Sequence, residues 1–137
     1  MSARSKARKR ALDLLYSADV REQELAEALS EAALRASSEP ERAASWIYAR
    51  DIVDGVIENE AAIDMAIIEH AHGWTLQRMP AVDRAILRLA SWEILFNDEI
   101  DAAVAISEAV DLAKELSTDD SARFVNGVLD AIARDAR

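Results

Sequence analysis

Apolar side chains recur at helical spacing along the last third of the chain, and this pattern constrains the fold more than any other feature. Between residues 105 and 116 they fall at positions i, i+3, i+4, i+7 and i+10, which are Ile106, Ala109, Val110, Ala113 and Leu116. After a short polar segment the pattern resumes with Phe124, Val125, Val128, Leu129 and Ile132. Such spacing places the apolar residues on one face of a helix. The sequence therefore predicts two amphipathic helices at the end of the chain.

The polar segment 117–120 between these helices is typical of a helix start. Serine, threonine and aspartate side chains accept hydrogen bonds from the free amides of a first turn, and Asp119 and Asp120 suit the positive end of the helix dipole. Gly127 fits the pattern less well, because glycine inside a helix costs about 1 kcal/mol relative to alanine. We therefore expect another backbone segment to approach closely at Gly127.

The rest of the chain also favours helices, with only three glycines and two prolines in 137 residues and no alternating strand pattern. We predict an all-α fold of about seven helices in a single domain spanning residues 1–137. The five helices before the terminal pair are predicted near residues 3–17, 22–36, 40–56, 61–71 and 80–96. A stop is expected at His72 and Gly73, since glycine accepts the left-handed backbone conformation.

Charge is distributed unevenly along the chain, whose net charge is −10. Residues 1–10 hold Arg4, Lys6, Arg8, Lys9 and Arg10 and no acidic residue, whereas the rest is strongly acidic. A short basic arm on an acidic body indicates a polyanionic partner that is met at one patch. The alternative is that the charged N-terminus only keeps the chain soluble.

The composition argues against several functional classes. With no cysteine, disulfides, thiol catalysis and thiolate metal sites are excluded. No apolar run is long enough to span a membrane and no secretory signal is visible, so we expect a cytoplasmic protein. The three glycines are isolated and match no phosphate-binding loop. We predict no catalytic residue, no cofactor and no enzymatic activity.

One short segment has the spacing of a metal site. Glu69 and His72 form a Glu-x-x-His pair, and His70 lies between them. A di-iron bundle needs two such pairs and two further glutamates, but the chain contains only these two histidines. A helix end at which imidazolium meets the negative dipole is the better interpretation. No metal site is predicted.

Binding of single-stranded RNA needs cations for phosphates and aromatic rings for bases. Arg4, Lys6 and Arg8 are candidates for the phosphate contacts, and Arg4 and Arg8 lie one helical turn apart. Further candidates could join them only if the first and last helices are neighbours: Tyr16, Lys114, Arg123 and Phe124. The alternative is that both aromatic residues belong to the core.

Three segments of the chain resemble the NusB family of transcription antitermination factors. The most specific is A-I-x-E-A-V-x-L-A-K followed by D-S-x-R-F-V-N-G-V-L-D, within residues 105–130. The segment A-R-K-R-A-L-D-L-L-Y, residues 7–16, resembles the arginine-rich first helix of the family, and P-A-V-D-R-A-I-L-R-L-A, residues 80–90, resembles its central helix. The resemblance covers nearly the whole chain.

This resemblance implies two three-helix bundles packed together and a non-enzymatic adaptor that binds boxA RNA. The RNA-binding residues that it implies are Arg4, Lys6, Arg8, Tyr16, Arg88, Asp120, Arg123 and Phe124. It also implies docking of the small-subunit ribosomal protein NusE on an acidic surface that includes Asp83. Both partners would act in the RNA polymerase antitermination complex, in support of ribosomal RNA transcription.

The basic arm departs from the family pattern. Ser5 and Asp13 stand where many relatives have arginine and glutamine. Lys6 and Lys9 stand where relatives can have arginine or another residue. Lysine lacks the flat fork of arginine, so these positions would give weaker two-point contacts with phosphate. Two other functions remain open. The chain could be an accessory module of an RNA-modifying enzyme such as a ribosomal RNA methyltransferase, or a helical module that binds only proteins.

Overall fold

A computed structural model describes residues 2–136, and in this part of the chain all regular secondary structure is helical, without a strand. The prediction of an all-α fold is therefore confirmed. Seven α-helices span α1 Ala3–Val20, α2 Leu25–Ala36, α3 Ala43–Glu58, α4 Glu60–His70, α5 Ala81–Phe96, α6 Ala102–Leu116 and α7 Asp119–Asp135. Two short 3-10 turns, Pro40–Arg42 and Leu76–Arg78, precede α3 and α5.

The chain divides into two compact units, one ending at Glu58 and the other beginning at Asn59. The first unit contains α1, α2 and α3, and the second contains α4 to α7. The first unit thus has the three helices that the resemblance implies, and the second has four.

In the first unit, small residues allow α1 to pack closely on α3. Ala7 and Ala11 of α1 and Ala49 of α3 are completely buried, as are Ile52 and Val53. Alanine at the contact brings helix backbones close together, whereas larger side chains would hold them apart. This packing fixes the direction in which the basic residues of α1 leave the helix.

The second unit is built around α5, which contacts α4, α6 and α7. Its side chains Ile86, Leu87 and Leu89 are buried among the aliphatic residues of these neighbours. Ile63 of α4 and Leu129 of α7 are likewise fully buried. Burying each such side chain contributes about 1.5–3 kcal/mol.

The predicted capping is found at the start of α7, where the Thr118 hydroxyl accepts a hydrogen bond from the Ser121 amide. The structure adds a cap at α1, where the Ser2 hydroxyl accepts a hydrogen bond from the Ser5 amide. After α4, Gly73 has a φ of +90°, as expected for a helix stop.

One inward-facing assignment from the sequence is wrong. Leu116 is 50% exposed. It lies at the end of α6, where the neighbouring helices no longer cover it. On α6 the buried face is also rotated from the predicted one, because α6 packs against both α5 and α7; this face consists of Ala105, Ala109, Leu112 and Ala113.

The expectation of a close backbone approach at Gly127 is also wrong. Gly127 lies on the exposed face of α7, and a Cβ atom built there would meet nothing within 4 Å. Glycine is therefore tolerated because nothing packs on it.

No helix within residues 2–136 combines the length and the apolar character needed to cross a membrane.

Replacing Gly127 with alanine should raise the free energy of unfolding by about 0.5–1 kcal/mol. Alanine has less backbone freedom than glycine in the unfolded chain, so less conformational entropy is lost when the helix forms. Gly73→Ala is the matched control and should lower stability, because φ near +90° strains any residue with a Cβ atom. Urea unfolding followed by circular dichroism measures both variants. A destabilised Gly127→Ala variant would contradict the open surroundings of Gly127.

Candidate nucleic-acid interface

The first cluster of candidate residues lies at the start of α1. The guanidinium carbons of Arg4 and Arg8 lie 5.2 and 5.8 Å from the centroid of the Tyr48 ring on α3. The one-turn spacing predicted that both arginines lie on the same face of α1. The structure shows that both guanidinium groups contact the same ring, that of Tyr48. Cation–π contacts of this kind contribute about 0.5–1 kcal/mol at exposed sites and more where water is excluded. The ring therefore holds two guanidinium groups in place.

These two arginines differ in exposure, and this difference separates their possible roles. Arg4 is exposed, whereas Arg8 is 2% exposed. A phosphate in solution can reach Arg4 directly. Arg8 is covered, so in this conformation it can act by positioning Tyr48.

Lys6 and Tyr16 complete the predicted residues of α1. Lys6 is exposed and lies two positions from both arginines, which places it on another side of the helix. Tyr16 is 41% exposed, so it is not the core aromatic of the alternative interpretation. It lies about 12 Å beyond Arg8 along the helix axis, at 1.5 Å per residue.

A second cluster lies in the unit that begins at Asn59. The rings of Trp74 and Phe124 meet edge to face, with centroids 6.2 Å apart and an interplanar angle of 60°. They line a mostly apolar cavity of about 290 Å³. Its other lining residues are Met79, Pro80, Asp83, Asp120 and Ser121. Trp74 is 53% exposed, so one aromatic wall of this cavity is open to solvent.

Two carboxylates border this aromatic cavity and differ in their surroundings. Asp120 is exposed in the first turn of α7 and forms an ion pair with Arg123. Asp83 is 2% exposed, and its Oδ1 atom has no hydrogen-bond partner among residues 2–136. A buried acceptor without a donor is unfavourable by about 1–3 kcal/mol. Asp83, which lines the cavity, therefore keeps a buried carboxylate oxygen without a partner among residues 2–136.

Arg88 is engaged in a contact within the same unit. Its Nε and Nη2 atoms donate to the two carboxylate oxygens of Asp64 on α4, at 2.9 and 3.1 Å. This two-point ion pair is largely buried on both sides and ties α5 to α4. The RNA-binding role predicted for Arg88 remains a prediction, since its planar fork is already matched to Asp64.

Tyr48 and Trp74 were not among the site residues predicted from the sequence. Periodicity gives no sign that Tyr48 receives two arginines, because that contact depends on the packing of α1 on α3. Trp74 could have been noticed in the sequence. It directly follows the helix stop at Gly73, so it belongs to no apolar helix face and is a candidate for an exposed aromatic residue.

Comparisons with known proteins show the family and the fold of the chain. A sequence model described as the NusB family matches residues 5–134. The chain belongs to the NusB family. A relative from Leifsonia xyli subsp. xyli, a transcription antitermination protein NusB, is 66% identical over 98% of this chain and 93% of its own length.

Solved structures of NusB proteins have the same fold. T. maritima NusB superposes with a TM-score of 0.82 at 32% identity, over 98% of this chain and 93% of the other. A crystal structure of the antitermination factors NusB and NusE in complex with double-stranded RNA has a TM-score of 0.82 at 28% identity and covers 98% of both chains.

The histidine segment of this NusB-family chain has a structural explanation. His70 Nδ1 lies 2.7 Å from the Ala66 carbonyl oxygen, and Nε2 lies 2.5 Å from Asp135 Oδ2. Both partners are acceptors, so both contacts are hydrogen bonds only when each ring nitrogen carries a proton. The backbone contact with Ala66 and then the hydrogen bond with Asp135 raise the pKa of His70 above 6.5. Among residues 2–136 no cluster of three metal-ligating side chains occurs.

Protonation of His70 should stabilise the fold. Because its pKa is raised on folding, the contribution is complete below the unfolded pKa of about 6.5 and is lost as pH rises through the folded pKa. The pKa of His70, measured by NMR titration, should lie above 6.5 and should fall in Asp135→Asn. Asp130→Asn is the control, because Asp130 pairs with Arg134. Equal His70 pKa values in all three proteins would contradict the contact with Asp135.

Proposed function

We propose that this protein is a non-enzymatic RNA-binding adaptor in transcription antitermination, which binds boxA-type single-stranded RNA together with ribosomal protein NusE. In this role it supports ribosomal RNA transcription as part of the RNA polymerase antitermination complex in the cytoplasm. The observation that carries the proposal is the group of basic residues at the start of α1, ordered around Tyr48, in a chain of the NusB family. A single-stranded nucleic acid is bound by cations along its phosphate backbone and by aromatic rings on which its bases stack.

Arg4 and Lys6 are the residues that we assign to phosphate contacts. Both are exposed on an otherwise acidic chain, so a polyanion is attracted to this patch and repelled elsewhere. Arg8 acts from beneath, since it is buried against Tyr48. Tyr16, which is exposed on the same helix, offers a ring on which a base can stack.

The aromatic cavity beside Phe124 suits a base and not a phosphate. Its volume of about 290 Å³ is near the lower end of ligand pockets, which span roughly 300–1,000 Å³. Asp83 and Asp120 would repel a phosphate, but they can accept hydrogen bonds from the N–H groups of an unpaired base. Arg123 neutralises part of the charge of Asp120 through their ion pair. We therefore propose that Asp120, Arg123 and Phe124 contact a base and its neighbouring backbone.

NusE is the proposed protein partner. The NusB and NusE complex with double-stranded RNA, whose NusB chain resembles this one along its length, supports that assignment. The chain is acidic, with a pI near 4.6, and ribosomal proteins are typically basic, so charge favours the pairing. Asp83 stays a predicted docking residue. Because its side chain is buried, a partner would reach it only through the mouth of the aromatic cavity.

Reversing charge at Arg4 and Lys6 tests the RNA role. The double variant Arg4→Glu/Lys6→Glu should bind boxA RNA at least about tenfold more weakly, a loss of about 1.4 kcal/mol. Its affinity should also depend less on salt, because each lost phosphate contact removes about 0.7 from the slope of log K against log salt. Gel-shift titrations at two salt concentrations, with and without NusE, measure both effects.

The matched control is Arg21→Glu/Arg50→Glu, which makes the same charge change at two exposed arginines of the same unit and should lose much less affinity. Binding of NusE should persist in both variants. If boxA RNA binds no better than a scrambled sequence even with NusE present, the proposed function is wrong. Recovery of a methyltransferase instead of a ribosomal protein from a pull-down would support the accessory-module alternative.

A further inference from the structure

A polar cavity in the first unit is used by neither of the proposed RNA contacts. Its volume is about 220 Å³. It is lined by residues of α1, α2, the turn before α3 and α3 itself: Arg10, Asp13, Leu14, Ser17, Ala32, Arg35, Glu39, Arg42 and Trp46. Arg10 follows Arg8 by two positions, or about 200° around α1, so this cavity and the Tyr48 cluster lie on different sides of the helix.

Arg10 is held rigidly at this cavity. Its Nη1 atom donates to the Arg42 carbonyl oxygen at 3.1 Å and to the Ser45 hydroxyl at 2.9 Å. The guanidinium carbon lies 5.5 Å from the centroid of the Trp46 ring. Both of these hydrogen bonds to residues within 2–136 are donated by Nη1 of Arg10. The Nε and Nη2 donors of Arg10 therefore remain available, in a side chain whose orientation is already fixed.

The cavity has more positive than negative charge. Three arginines line it against two carboxylates, and one of these, Glu39, is paired with Arg42 at 2.8 Å. Partial burial, followed by the positive charge of Arg42, lowers the pKa of Arg10, and Glu39 opposes the shift. Arg35 makes no ion pair with any residue from 2 to 136. An anion bound between these guanidinium groups would relieve their repulsion.

The lining also specifies what the anion should carry. Arginine presents a planar fork of donors that matches a phosphate, and the half-buried Trp46 indole offers a surface for a flat ring. The Asp13 carboxylate and the Ser17 hydroxyl can bond to sugar hydroxyls. We propose that this cavity binds a mononucleotide, with its phosphate between Arg10, Arg35 and Arg42 and its base against Trp46. A volume of about 220 Å³ is too small to enclose the whole nucleotide, so part of the ligand stays in solvent.

Titration of the full chain with adenosine monophosphate tests this site. The probe is the indole N–H signal of Trp46 in a ¹H–¹⁵N spectrum, assigned with Trp46→Phe. The signal should shift and saturate with a Kd of roughly 0.1–1 mM. Adenosine, which lacks the phosphate, and inorganic phosphate, which lacks the ring, should each bind at least tenfold more weakly.

Arg35→Gln should weaken nucleotide binding at least tenfold, since it removes an exposed guanidinium group without breaking an ion pair among residues 2–136. Arg21→Gln, an exposed arginine outside the cavity, is the matched control and should bind as the unmodified chain does. Both variants should keep their unfolding midpoint and their affinity for boxA RNA, so this test is independent of the proposed RNA function.

The assignment is wrong if the Trp46 signal does not shift at about 10 mM nucleotide, or if adenosine or phosphate alone binds as tightly as adenosine monophosphate. It is also wrong if Arg35→Gln leaves nucleotide binding unchanged or weakens the binding of boxA RNA. The last result would make the cavity part of the RNA surface.

Discussion

Close packing of α1 on α3 is the constraint on which the basic surface depends. Alanines at the contact bring the two helices together, and this places Tyr48 and Trp46 of α3 beside arginines of α1. Each ring then holds guanidinium groups at a fixed position, so the loss of side-chain freedom on binding is reduced. A bulkier residue at Ala7 or Ala11 would separate the helices and release both sets of arginines together.

The second unit meets a different requirement, since its candidate surface combines aromatic rings with acids. Trp74 is left exposed by the helix stop at Gly73, and Phe124 faces it from the first turns of α7. Acids beside rings disfavour phosphates and favour the N–H edges of bases. The first unit therefore presents cations on α1 that suit phosphates, and the second presents acceptors beside Phe124 that suit the N–H edges of bases.

Much of the fold could be predicted from the sequence, because helical period, caps and glycine stops are local signals. The start of α7 at Thr118 and the stop at Gly73 are examples. The candidate sites were harder to predict from the sequence, since their geometry depends on contacts between helices. Nothing in the sequence indicates that Arg8 is buried against Tyr48, or that Arg88 pairs with Asp64. At Gly127 the prediction was wrong in a different way. The cost of glycine inside a helix was explained by a close backbone contact, but the structure has no such contact.

Photo-cross-linking of boxA RNA in the complex with NusE would locate the RNA on the aromatic residues of both units. A photoactivatable uridine is placed at each position in turn, and the cross-linked peptides are identified by mass spectrometry. We expect cross-links to the peptide containing Tyr16 and to those containing Trp74 and Phe124, because these rings are at least partly exposed beside the proposed contacts. Cross-links confined to α4 and α6, with none to these three rings, would contradict this expectation.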